Sequence, residues 1–103
     1  MILITGTIML ESESELATVR DALVRRAERS RGDNGCIDYQ FSVSLDNPKE
    51  IRLIERWESE ALLEAHLAIP DPEFTETIGR GKIATAVVEA HEVSASREMM
   101  RRP

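Results

Sequence analysis

The chain has 103 residues, 42% of them hydrophobic and 31% charged, and a formal net charge of −6. That length holds one buried core, and the composition is that of a globular chain, which excludes a disordered one. The acidic balance excludes a general nucleic-acid binder, which needs a basic face for phosphate, and the single cysteine, Cys36, excludes an intrachain disulfide.

Ile2 to Leu10 is rich in β-branched residues and reads as a strand. Ile2, Ile4, Gly6, Ile8 and Leu10 share one face, with Leu3, Thr5, Thr7 and Met9 on the other. Both faces are largely apolar, so a helix layer on one side and a further layer on the other are expected. The stretch lacks a basic start and runs into Glu11, Glu13 and Glu15, unlike a signal peptide. No run is long enough to span a membrane, and a cytoplasmic setting is expected.

Ser12 followed by Glu15 predicts a capping box opening a helix. Leu16, Val19, Leu23 and Ala27 recur at helical spacing, arginines gather toward the far end, and Gly32-Asp33-Asn34-Gly35 stops the helix. From Ile37 the alternation is clean: Ile37, Tyr39, Phe41, Val43 and Leu45 against Asp38, Gln40, Ser42 and Ser44. Asp46-Asn47-Pro48-Lys49 reads as a turn, and Ile51 to Trp57 returns as the second strand of a hairpin. In that strand Ile51, Leu53, Glu55 and Trp57 share a face.

Ser59 predicts the cap of a short helix with Leu62, Leu63, His66, Leu67 and Ile69 on its apolar side, ended by Pro70. Asp71-Pro72 opens a further helical stretch carrying Phe74 and Ile78, which Gly79 and Gly81 break. Ile83 to Val93 is the last strand, with Ala84, Ala86, Val88 and Ala90 on one face. The order is β-α-β-β-α-β with the second helix in two pieces. This is the ferredoxin-like α+β plan, an antiparallel sheet with helices on one face. Residues 1–94 form the expected domain, and residues 95–103 a polar, basic tail. An uncovered apolar sheet face would be hidden by a second subunit, so a homodimer packed sheet to sheet is expected.

Chemistry-bearing residues are few. Glu55, on the face of Leu53 and Trp57, is either a general base with a raised pKa or one half of a salt bridge to an adjoining arginine. His66, on an apolar helix side, is either a base or a hydrogen-bonded core histidine. Trp57 reads as core or as a pocket wall, as do Tyr39, Phe41 and Phe74. Cys36 reads as a small buried hydrophobe. Two scattered histidines and one cysteine make no metal site, and there is no phosphate-cradling loop or dinucleotide fingerprint.

Ser30-Arg31 before Gly35-Cys36, then Tyr39, Asp46-Asn47-Pro48, Glu55-Arg56-Trp57, Ala61-Leu62, His66, and Pro72 with Phe74 resemble the antibiotic biosynthesis monooxygenase domain. The resemblance implies a dimeric α+β barrel with a pocket between sheet and helices. It leaves the reaction open, since members include cofactor-independent quinol or anthrone oxygenases, haem-degrading enzymes and an isomerase of a phosphorylated signalling sugar. Haem-degrading members carry an asparagine on the first strand, where this chain offers only Thr5 and Thr7. They also carry a tryptophan near the place of His66 and a later axial histidine near the place of Glu76. Anthrone-oxygenating members place an asparagine and a tyrosine where Leu53 and Leu63 stand. The residues left are Glu55, Trp57 and His66.

The expected activity is therefore oxygenation of a small electron-rich aromatic, quinol or phenol, without metal or other cofactor. His66 and Glu55 would be catalytic, and Trp57, Phe74, Leu53, Leu63 and Tyr39 would line the substrate pocket. A proton-transfer isomerase and a non-catalytic ligand-binding dimer are the alternatives.

Overall fold

The computed structural model describes all 103 residues. The elements are β1 (Ile2–Leu10), α1 (Glu15–Arg31), β2 (Cys36–Ser44), β3 (Asn47–Trp57), α2 (Glu60–Leu67), α3 (Pro72–Arg80) and β4 (Ile83–Glu92). The strands make one antiparallel sheet in the order β2-β3-β1-β4, the expected ferredoxin-like plan with its second helix divided. The sheet is open: β2 and β4 are both edges, so a single chain closes no barrel. No helix is long and apolar enough to cross a membrane.

The period-two pattern of β1 decides how the layers stack. Ile2, Ile4, Gly6, Ile8 and Leu10 are buried, while Leu3, Thr5, Thr7 and Met9 are half-buried. Two apolar clusters fill the space under the helices. One joins Ile2, Ile4, Ala27, Tyr39, Trp57 and Leu63; the other joins Ile8, Leu10, Val19, Leu23 and Ile51. Each fully buried aliphatic side chain contributes about 1.5–3 kcal/mol relative to exposure.

Three local expectations are corrected. The Ser12–Glu15 capping box does not form: Ser14 occupies the cap position with no side-chain cap bond, and Glu15 Oε2 instead accepts from Lys82 N at 3.2 Å. A long-range tie has displaced the local one. The hairpin turn is Leu45-Asp46, since Ser44 already pairs with Asn47, and Asn47-Pro48-Lys49 belongs to β3. Proline is tolerated there because the register slips between Val43 and Ser44. Gly79 lies inside α3, and only Gly81 ends it.

The last strand, β4, forms one edge of the sheet. Its face with Ala86, Val88 and Ala90 pairs in register with Ile8, Gly6 and Ile4, which puts it on the helix side of the sheet. The helices stop short of it, and Val88 is 58% exposed. On the opposite face Ile54 and Val87 are also exposed, so the single chain leaves that side of the sheet bare.

Candidate functional site

Alternation along β3 sends Glu55 and Trp57 into the helix-covered side of the sheet. Trp57 is completely buried, and its indole Nε1 donates to Glu55 Oε1 at 2.9 Å. Glu55 is 6% exposed and lies between Ile4 and Tyr39 on the neighbouring strands. Burial pushes its carboxyl above the ordinary carboxylate range, while the Trp57 hydrogen bond and the nearby His66 and Arg26 oppose the shift. The expected alternative, a salt bridge from Glu55 to an arginine, does not form: the Trp57 indole is its direct partner.

The α2 helix supplies the second half. Ser59 Oγ accepts from Leu62 N at 3.2 Å, as its cap position predicts, and the helix then buries Leu63 and His66. The His66 ring lies 4.5 Å from that of Trp57, tilted by 34°, and 5.8 Å from that of Tyr39. His66 Nδ1 is 2.7 Å from Asp33 Oδ2, and Nε2 is 3.3 Å from Arg26 Nη2. A guanidinium can only donate, so Nε2 accepts and Nδ1–H donates to Asp33. Both ring nitrogens are engaged.

Arg26 joins the rest. It is 8% exposed, donates from Nη1 to Asp71 Oδ2 at 3.3 Å, and sits 4.9 Å over the Phe74 ring. Its Nε is buried without a partner. Asp71 caps α3 through Oδ1, which accepts from Phe74 N at 3.2 Å, and its Oδ2 also meets Arg29 at 3.3 Å. Ser30 Oγ donates to the Arg26 carbonyl at 2.6 Å. The Tyr39 hydroxyl is pushed up by burial and by the Glu55 charge, against the pull of Arg26 and Ser30. The Arg26 guanidinium thus bonds the His66 imidazole and the Asp71 carboxylate, and its charge also acts on the Glu55 carboxyl and the Tyr39 phenol, groups that can hold and pass protons. No group of three or more His, Cys, Asp or Glu side chains comes together to hold a metal ion.

The structure therefore brings Glu55, Trp57, His66 and Tyr39 together, with Leu63 in the same cluster, Leu53 packed against it and Phe74 joined through Arg26. It places no cavity among them. An apolar cavity of ≈ 230 Å³ lies instead between α1 and β2, and of the aromatics considered above only Phe41 reaches it.

Three residues of the cluster escaped sequence reasoning: Arg26, Asp33 and Asp71. Arg26 stands one residue before Ala27 and three after Leu23, on the inward stripe of α1, and that spacing was the available signal. Asp33 and Asp71 carried only their turn and cap signals, which conceal a second role.

A family model described as antibiotic biosynthesis monooxygenase matches residues 1–77. No curated protein matches the chain in sequence. Among solved structures, a candidate antibiotic biosynthesis monooxygenase from Deinococcus radiodurans is 26% identical with a TM-score of 0.86, over 98% of this chain and 100% of that one. A second such candidate from Nitrosomonas europaea is 15% identical with a TM-score of 0.80, over 92% and 100%. Rv0793 from Mycobacterium tuberculosis is 18% identical with a TM-score of 0.71, over 97% and 100%. These last two likenesses show the fold alone. The family match takes in β1 through most of α3, with Glu55, Trp57, His66 and Phe74 inside it, and the chain belongs to the antibiotic biosynthesis monooxygenase family.

Proposed function

We propose that the chain is a monooxygenase acting on a small electron-rich aromatic, a quinol or phenol, with no metal or flavin. The observation that carries this reading is the Glu55 carboxylate. It is buried, raised in pKa by that burial, free of any ion pair, and tied through Oε1 to the Trp57 indole. Family membership and the likeness to the candidate monooxygenase from Deinococcus radiodurans support the reaction type.

In this reading a substrate hydroxyl gives its proton to the Glu55–His66 pair. The resulting phenolate is electron-rich enough to pass an electron to dioxygen. The substrate itself supplies all four electrons: one oxygen atom enters the ring, the ring loses two hydrogens and ends at the quinone level, and the other oxygen leaves with those hydrogens as water. Glu55 has the freer lone pairs, since only its Oε1 is engaged; His66 takes the proton at Nε2 once Arg26 turns from it to the substrate oxygen. Trp57 and Tyr39 supply aromatic walls, and Leu53, Leu63 and Phe74 apolar ones. Substrate enters by displacing the half-buried Leu53 and Phe74. The working unit is a homodimer packed through the open sheet face, where Ile54 and Val87 are exposed.

Oxygen uptake with a panel of quinols tests this. His66→Ala and Glu55→Gln each lower the rate at least about 100-fold while circular dichroism stays unchanged. Unaltered uptake in both variants removes the pair from the reaction.

A further inference from the structure

The flank of α1 away from the Glu55–His66 cluster carries a second feature. Leu23 and Ala27 face Phe41 and Val43 of β2 across the cavity of ≈ 230 Å³, with Arg20 and Arg31 toward its two ends. The arginines are eleven residues apart on α1, about 16 Å along the axis at 1.5 Å per residue. No carboxylate lines the space. In a chain of net charge −6, both arginines nonetheless lack an acidic partner. Arg31 is held across the rim, donating from Nε to the Tyr39 carbonyl at 3.0 Å and from Nη2 to Gln40 Oε1 at 3.4 Å. Arg20 makes no side-chain bond to the protein and keeps its whole donor fork.

We infer that this cleft binds a small amphipathic anion, a carboxylate borne on a single aromatic ring or a short acyl chain, with Arg20 taking the carboxylate. The walls are apolar and suit the ring or chain, and a planar guanidinium suits a carboxylate through two parallel bonds. The volume falls below the usual range of about 300–1,000 Å³ for ligand sites, which limits the occupant to a small molecule. A phosphate clamped between both arginines is not expected, because Arg31 is already engaged by the Tyr39 carbonyl and Gln40. The inference stands apart from the oxygenase reading, since no residue of the Glu55–His66 pair lines the cleft.

The test is titration of the full ¹⁵N-labelled chain with benzoate and octanoate, and with benzamide and octanamide as uncharged matches. The expected result is saturable shifts at Val24, Gln40, Ser42 and Val43, with binding at least about tenfold weaker for the amides. Arg20→Gln, a change at an exposed position, weakens the carboxylates by the same factor, and Val24→Glu at the rim abolishes binding by repulsion. The inference is overturned by no saturable shift with either acid, equal binding of acid and amide, shifts centred on His66 and Trp57, or full affinity in Arg20→Gln. Cleft shifts that follow protein concentration and exclude both probes also overturn it, and assign the groove to a second copy of the chain.

Discussion

Arg26 Nη2 lies 3.3 Å from His66 Nε2, and the same guanidinium reaches Asp71 at 3.3 Å through Nη1. One side chain of α1 thus links the turn after α1, through His66 and Asp33, to the turn between α2 and α3. Removing it leaves Asp71 with Arg29 as its one cationic partner and leaves Nε2 without a donor. Arg26→Met is expected to cost about 3 kcal/mol, at the low end for breaking a buried pair because Arg29 still faces Asp71. Arg26→Lys should recover little, since an ammonium cannot reproduce the fork that spans both partners. Urea unfolding of the two variants measures this.

Glu55 predicts a pH dependence of stability. Its folded pKa is raised, so the folded state holds the proton more tightly than the unfolded one. Its contribution is fully present below the ordinary carboxyl range and is lost as pH rises through the raised value. Glu55→Gln mimics the protonated form and can still accept from the Trp57 indole. The variant should melt above the parent at about pH 8 and level with it near about pH 4. Thermal melts across that window, with the difference shrinking on acidification, are the readout. A constant difference would mean that charge burial is not the cause.

Two glycines should respond oppositely to alanine. Gly35 has φ 85°, and a Cβ there would stand 2.5 Å from Leu62 Cδ1 and 2.7 Å from Leu62 Cβ. Gly35→Ala is therefore expected to cost more than the about 1–2 kcal/mol of the left-handed conformation alone. Gly79 is helical, exposed and free of any neighbour within 4 Å of a new Cβ. Gly79→Ala should gain about 0.5–1 kcal/mol. Both values come from chemical denaturation of the single variants.

The open sheet face predicts association. Ile54 and Val87 lie on the same side, across from Thr5 and Thr7, at 40% and 58% exposure. Sedimentation of the parent should give twice the chain mass at micromolar concentration, and Ile54→Arg should give a monomer. A monomeric parent sinks the sheet-to-sheet dimer.

The fold was legible because its signals are local. β-branched runs, one long apolar stripe from Leu16 to Ala27, and the Gly32–Gly35 stop each act within a few residues. What failed locally failed through distant competition: Glu15 matches a capping box, yet the Lys82 backbone amide claims its carboxylate. Of the site, strand alternation was enough to put Glu55 beside Trp57, and helical spacing to turn His66 inward. Arg26 was read with the other arginines of a helix end, although its place on the buried stripe marks it as different. That Asp33 and Asp71 both converge on its neighbourhood depends on how two turns pack, and no local pattern encodes it. Nor does a list of apolar residues reveal whether they enclose space: Leu63, Tyr39 and Trp57 close on one another, while Leu23, Ala27 and Phe41 leave a cavity.

The β1–β4 ladder has a consequence for biosynthesis. Val93 N donates to the Met1 carbonyl, and the Met1 amino group reaches back to Val93 O, 92 positions away. β1 also meets β3 on its other side, so it can begin to pair once the hairpin exists. Its β4 edge, however, stays bare until the final strand has left the ribosome. During synthesis a central strand rich in isoleucine therefore offers an unpaired edge to any passing chain, the kind of template that seeds aggregation. Closing so long a loop is also the slowest pairing in the sheet. The vulnerable interval in this protein's life lies between formation of the β1–β3 pairing and the arrival of β4, and a chaperone that shields β1 in that interval would raise the yield of folded chain.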